Sequence, residues 1–449
     1  MAVENKVDNE SITKILAKFI HNLNYDDLPE GVTELAKTRI LDALSSAYAG
    51  RDLPHSRTAK EIAKRSHGDS TIFGCEAKTA PLDAVLANSV LVHSIFQEDT
   101  AFMGHPGTMV IPVALAVGEQ ERASGKETLV AIVVGYELMG RISRSACPLA
   151  MAAFRPGPIM GTFGAAATAG RLMKLNVDKL THALGYAASL APAPPQEGFW
   201  SGTMEPMFEA GVCAQIGVLS AILANGGATT NPQVLEGRHG FLRCWAGTTE
   251  KAPLITEGLG KTFAISETVV KPYPACAMNQ LPIQASLPLA KLDLRAKDIA
   301  RVVEKTGLGG TSYAGSDFAG PFTNQVQAQM SLHFCAAATI LGRQVDSFSF
   351  YTEHYDDPEV AELAGKVELV CEEGRTKPRL EVYTHDGRAF TAEEEKVDRG
   401  PLTPSRENME NKFTAMASSF LGEERVHQVI DLVMNLDKMG NICELTAKL

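Results

Sequence analysis

The chain has 449 residues, 45% of them hydrophobic, and its 53 acidic against 42 basic residues give a formal net charge of −11. That length exceeds what one hydrophobic core usually supports, so two domains are expected. With no Lys/Arg block to follow a phosphate backbone, nucleic acid is excluded as the expected partner, and any carboxylate ligand would depend on local Arg, Lys, His or backbone N–H groups.

The N-terminal stretch MAVENKVDNESITKILAKFI is polar before it is amphipathic, so no signal peptide is expected. The apolar runs at 128–138 and 165–172 fall short of the roughly 20 residues that a membrane span needs. Eight cysteines (75, 147, 213, 244, 276, 335, 371 and 443) are scattered without C-x-x-C or Cys/His clustering. These features predict a cytoplasmic protein in a reducing compartment, with no membrane partner and no zinc or iron–sulfur site.

From residue 10 to about 265 the apolar spacing is helical, starting with Ser11 as N-cap ahead of Ile12, Ile15, Leu16, Phe19, Ile20 and Leu23. Further helical runs follow at 31–49, 80–95, 108–121, 125–146, 158–173, 177–190 and 208–225. The Ala/Gly-rich GTFGAAATAG (161–170) reads as a buried helix in a crowded core, since it lacks the strand and the Lys-Ser/Thr of a phosphate loop. PAPPQEGFWSG (192–202) reads as a loop.

Beyond Lys271 the texture changes. IARVVEKTGL, KVELVCEE and RLEVYTHDGRAFTAEEE carry strand patterns, and Asp386-Gly387 is a hairpin signal. Helical texture returns at Ser405. The predicted fold is mostly α with an α+β second domain: a large helical domain (1–268 and 405–449) and an inserted smaller α+β lid (269–404).

Four stretches put polar or charged residues into apolar, Gly/Pro-punctuated surroundings, as expected of a site on loops between helices. They are HSIFQEDT with GHPG (93–100 and 104–107), FRPG (154–157), GTMEPMFEAG (202–211) and KPYPACAMNQ (271–280).

Together with GTFGAAA, AQMSLHF (328–334) and YTEHYDDPEVAELAGKVELV (351–370), these stretches resemble the MmgE/PrpD family over nearly the whole chain. That family carries H-x-x-D-F-D-D-T with H-P, then F-H-P, G-T-x-G-A-A, K-x-x-H-x-G-x-A-A and K-x-Y-P-x-C/H. Any one motif could be chance; six in the same order are specific. The resemblance implies a helical domain with an α+β lid, usually a homodimer, and no metal or organic cofactor. It also implies proton transfer at a carbon next to a carboxylate, with loss of water or CO₂ in the lyases. Such chemistry requires a base within about 3 Å and cationic donors for the developing enediolate.

Carried over residue by residue, His105 matches the H-P histidine and Lys271 the lysine of K-x-Y-P, and these are the expected catalytic pair. Asp99 and Thr100 match the end of D-F-D-D-T and, with Arg155, Cys276 and Glu209, form the expected substrate-binding set. The sequence also departs from the pattern. Phe96 replaces the first Asp of D-F-D-D-T, and Arg155 replaces the F-H-P histidine. Pro206 and Glu209 fall at the Lys and His of K-x-x-H, and Cys276 replaces the histidine found in decarboxylases. Positive charge is thereby lost where a tricarboxylate would sit. Glu205 and Glu209 could instead face solvent, as most glutamates do, and Cys276 reads as a small buried side chain rather than a nucleophile.

The expected function is a lyase on a small di- or tricarboxylic acid, of the 2-methylcitrate dehydratase or aconitate decarboxylase type. The alternatives are an isomerase or epimerase of a small dicarboxylate on the same scaffold, or a catalytically lapsed member.

Overall fold

The computed structural model describes residues 10–150, 154–393 and 402–449, with the side chains of 147–150 excepted. The expectations for residues 1–9, for the Cys147 side chain and for the last residues of the strand run (394–395) lie outside the described residues.

Ser11 caps the first helix, its hydroxyl accepting from the Lys14 amide. The helices of the first half are α1 (Ile12–Asn22), α2 (Glu30–Ala49), α3 (Pro54–Ala63), α4 (Pro81–Val92), α5 (Pro106–Gln120), α6 (Gly125–Ala150) and α7 (Pro156–Leu172). They continue with α8 (Val177–Leu190), α9 (Glu197–Ser201), α10 (Glu205–Asn225) and α11 (Phe241–Ala246). The expectation of a loop at 192–202 needs correction: its second half is α9, whose Phe199 is buried and whose end is set by Gly202 in the left-handed region (φ 72°).

Helices α6, α7 and α10 are packed at near backbone contact. A Cβ on Gly217 would sit 2.4 Å from the Ala165 Cβ, and one on Gly164 would sit 2.9 Å from the Gly135 carbonyl oxygen. The small residues of 161–170 are therefore required by the packing: larger side chains would force the helices apart. Helix α10 is the one described helix long and apolar enough to cross a membrane, a length not expected from sequence; 56% of that stretch is buried among the other helices.

The smaller body holds α12 (Gln280–Ala290), α13 (Leu308–Ser312), α14 (Gln325–Met330), α15 (Leu332–Ile340), α16 (Phe348–Glu353) and α17 (Pro358–Ala364). Two short strands, β1 (Ser70–Thr71) and β2 (Lys78–Thr79), pair in the helical part. The smaller body's sheet contains β3 (Ile299–Thr306), β4 (Val367–Cys371), β5 (Arg379–Thr384) and β6 (Ala389–Glu393) in the order β4-β3-β5-β6. Strand β3 runs parallel to β4 and antiparallel to β5. The β5–β6 turn holds Asp386-Gly387, with Gly387 at φ 89°.

There are two hydrophobic cores. One is built from residues 16–276 with Val326, Met330 and residues 413–449, and the other from Tyr273 to Ala392. The final helices α18 (Arg406–Leu421), α19 (Glu423–Met434) and α20 (Cys443–Thr446) return to the first core. Lys412 of α18 reaches Asp42 of α2 at 2.6 Å, and the Tyr48 hydroxyl donates to the Leu449 carbonyl at 2.6 Å.

Candidate active site

The link between His105 and Lys271, 166 positions apart in the chain, is a short antiparallel bridge. Thr100 and Val269 exchange backbone hydrogen bonds at 2.8 and 3.0 Å, which draws the 93–105 loop alongside the segment leading into Lys271. The loop then reverses over Ala101–Gly104, with Phe102 and Met103 both at positive φ (56° and 59°). Non-glycine residues hold that conformation only where the surroundings enforce it. Further ties come from Gln97 Nε2 to the Pro272 carbonyl (2.7 Å), and from Gln329 Nε2 to the carbonyls of Ile95 (3.1 Å) and Pro274 (2.7 Å). Lys412 adds a bond to the Gln97 carbonyl at 2.7 Å.

His105 and Arg155 are the N-caps of α5 and α7, each followed by Pro as the first helical residue. The two helix starts touch through glycine. A Cβ on Gly104 would lie 2.8 Å from Gly157 Cα, and one on Gly157 would lie 2.8 Å from Gly104 Cα. Any side chain there would separate the histidine from the arginine.

At the centre is Glu98. Its Oε1 lies 2.8 Å from His93 Nδ1, 3.0 Å from His105 Nδ1 and 3.5 Å from Lys271 Nζ. His93, Glu98 and Lys271 are all fully shielded from solvent. The hydrogen-bond chemistry fixes both tautomers. A guanidinium can only donate, so His93 Nε2, which meets Arg155 Nη2, must accept, and Nδ1–H must donate to Glu98. His105 Nδ1 faces two acceptors, Glu98 Oε1 and the Asp99 carbonyl (3.3 Å), so it carries the proton and leaves Nε2 as the basic atom.

The electrostatics agree. Burial, then the charges on Lys271 and Arg155, keep both histidines neutral, His93 at about 4 and His105 well below its ordinary value. Burial pushes the Lys271 ammonium down, with Glu98 opposing. The Glu98 carboxyl is held well below 4.5: burial acts to raise it, but Lys271 and the two histidines together outweigh that. His93, Glu98 and His105 are metal-ligating types whose donor atoms lie within 4.8 Å of one another. The ammonium and guanidinium already beside them supply the cationic partners of the cluster.

A pocket of about 230 Å³ opens against this cluster, with His105, Lys271 and Thr100 in its wall. Ala277, Met278, Tyr313 and Met330 are further lining residues. Cys276 also lines it; the thiol is 7% exposed and burial raises its pKa, as for a small apolar side chain. The Thr100 hydroxyl donates to the Gly104 carbonyl at 3.0 Å, shaping the turn.

Three of the expected binding residues do not line the cavity. Asp99 is turned into the interior, its carboxylate accepting from the Gly107 amide and the Tyr136 hydroxyl (both 2.8 Å), with Arg39 at 3.6 Å. Burial raises its pKa to about 7. Arg155 is committed behind the wall to His93, to the Pro206 carbonyl and to Glu209 (3.0 Å), and its guanidinium lies 4.6 Å over the Phe199 ring. Glu209 therefore turns inward to pair with Arg155, whereas Glu205 is exposed.

Sequence reasoning passed over His93 and Glu98 as chemical groups. The available signal was the motif itself, since Glu98 stands at the first residue of the family's D-D pair and His93 at its opening histidine. Nothing in the spacing shows that both would share one carboxylate oxygen with His105.

The chain matches the MmgE/PrpD N-terminal domain over residues 14–253 and the MmgE/PrpD C-terminal domain over residues 273–438. It is 28% identical to cis-aconitate decarboxylase of Homo sapiens over 98% of this chain and 95% of that protein. It is 26% identical to cis-aconitate decarboxylase of Aspergillus terreus over 97% of this chain and 95% of the relative.

Proposed function

This chain belongs to the MmgE/PrpD family, and on that premise we propose that it is a lyase of the dehydratase or decarboxylase type acting on a small di- or tricarboxylic acid through His105 and Lys271. One observation carries the reading: the two residues stand in one pocket wall and share Glu98 Oε1 behind it.

The Lys271 ammonium, with no hydrogen-bond partner of its own, pairs with the substrate carboxylate next to the reacting carbon. In dehydration, His105 Nε2 removes the proton from that carbon. The electron pair forms the C=C bond as hydroxide leaves, and the imidazolium proton converts the hydroxide to water. In decarboxylation, the C–C bond to the departing carboxylate breaks and CO₂ leaves. Its electron pair spreads into the remaining carboxylate as an enediolate, which Lys271 stabilises and then protonates at carbon. Glu98 orients the imidazole and stabilises its charged form. Of the two, decarboxylation is favoured, since the relatives from Homo sapiens and Aspergillus terreus are cis-aconitate decarboxylases.

The test is release of CO₂ or formation of vinyl protons from cis-aconitate and 2-methylcitrate by the wild-type protein beside Lys271→Ala. The same family reading makes the protein a homodimer, for which light scattering on the purified protein at twice the chain mass is the expected result.

A further inference from the structure

We infer that the pocket selects a substrate with no more than two carboxylates and an apolar arm, in preference to a tricarboxylate. This rests on the lyase reading for the chemistry and on the pocket wall for the selectivity.

Among the described residues, Lys271 is the one basic side chain in the wall, because burial keeps His105 neutral. Arg155, which could have read a second carboxylate, stands outside the lining and is held by Pro206, Glu209, His93 and Tyr313. Phe96 stands in the wall, held at φ 56° with its ring edge-on to His93 at 5.1 Å. Elsewhere in the lining Phe199, Met278 and Met330 offer only carbon and sulfur, and the Tyr313 hydroxyl is engaged with Arg155.

A second anionic group has one place to go. Glu267 and Phe102 are in the lining, and Arg144, outside it and one-third exposed, pairs with Glu267 and lies 5.3 Å over the Phe102 ring. A third carboxylate would face Phe96, Phe199 and the methionines with no cationic partner, and the desolvation of an unpaired charge is not recovered there. An alkyl or aryl arm against the same wall gains apolar contact instead. Met278 and Met330 are unbranched and adaptable, which suits an arm of variable shape.

Saturated acids test this without any proton transfer. Calorimetry at pH 7.5 on the full chain would compare tricarballylate, succinate and 2-benzylsuccinate. The expected result is 2-benzylsuccinate binding at least tenfold more tightly than either of the others, with a negative heat-capacity change. Met278→Gln is expected to remove at least threefold of that gain while leaving succinate unchanged. Tricarballylate binding most tightly, no gain from the benzyl arm, or no binding of 2-benzylsuccinate would each overturn the inference. Failure of the lyase reading looks different: the affinity order holds, but no acid is turned over.

Discussion

Lys271 Nζ lies 3.5 Å from Glu98 Oε1, and neither side chain has any exposure to solvent. A charge pair so deeply buried is costly unless both members are present, because each compensates the other's desolvation. Lys271→Met is therefore expected to lower stability by roughly 3 kcal/mol or more and to abolish turnover. Lys271→Met/Glu98→Gln should recover much of the stability but none of the activity. Urea denaturation of the two variants beside wild type checks this.

Glu98 is a positioning residue for His105. Glu98→Gln keeps the shape but no longer stabilises the imidazolium, so kcat should fall by about 10²-fold while KM changes little. The acid limb of the kcat/KM profile should also shift to lower pH, because the carboxylate holds the His105 pKa up against burial. A merely structural role would change Tm and leave the profile in place.

Acid should unfold the protein through its buried neutral histidines. His93 and His55 are both lowered from 6.5 to about 4, chiefly by burial. Their folded values lie below the unfolded one, so the unfolded chain takes up protons first as pH falls. The stability that the neutral rings provide is complete above 6.5 and is lost between 6.5 and about 4. Each shift corresponds to roughly 3 kcal/mol at most. Denaturation midpoints at pH 7.5 and 5.0 should differ accordingly, and His55→Gln should narrow the gap.

Glu304 behaves in the opposite sense. It sits in β3 with neither carboxylate oxygen hydrogen-bonded, and burial raises its pKa from 4.5 to about 8. The folded state keeps the proton that the unfolded chain releases, so stability falls as pH rises from 4.5 to about 8 and then levels off. Glu304→Leu is expected to stabilise the protein at pH 8 by on the order of 2 kcal/mol or more, read as a raised Tm.

The helical frame was legible because its signals are local. Ser11, the apolar periodicity of α2 to α8 and the Asp386-Gly387 turn each encode geometry within a few residues. The crowding of 161–170 was legible too, since only small residues permit such close approach. The motif also pointed to His105 and Lys271. Glu98 was hidden because its role depends on the Thr100–Val269 bridge, a pairing between segments far apart in the chain. Arg155 and Asp99 show the converse: both are charged groups on the site's motifs, but the partners that occupy them, Glu209 and Tyr136, come from distant helices.

Proton NMR in D₂O of the purified protein with cis-aconitate, 2-methylcitrate and 2-benzylmalate, each beside Lys271→Ala, is the sharpest test of lyase chemistry in this pocket. Vinyl signals are expected to appear or vanish with wild type alone, with deuterium placed next to a carboxylate in any decarboxylated product. Unchanged spectra for every acid with a folded protein, or equal turnover by Lys271→Ala, would contradict that chemistry.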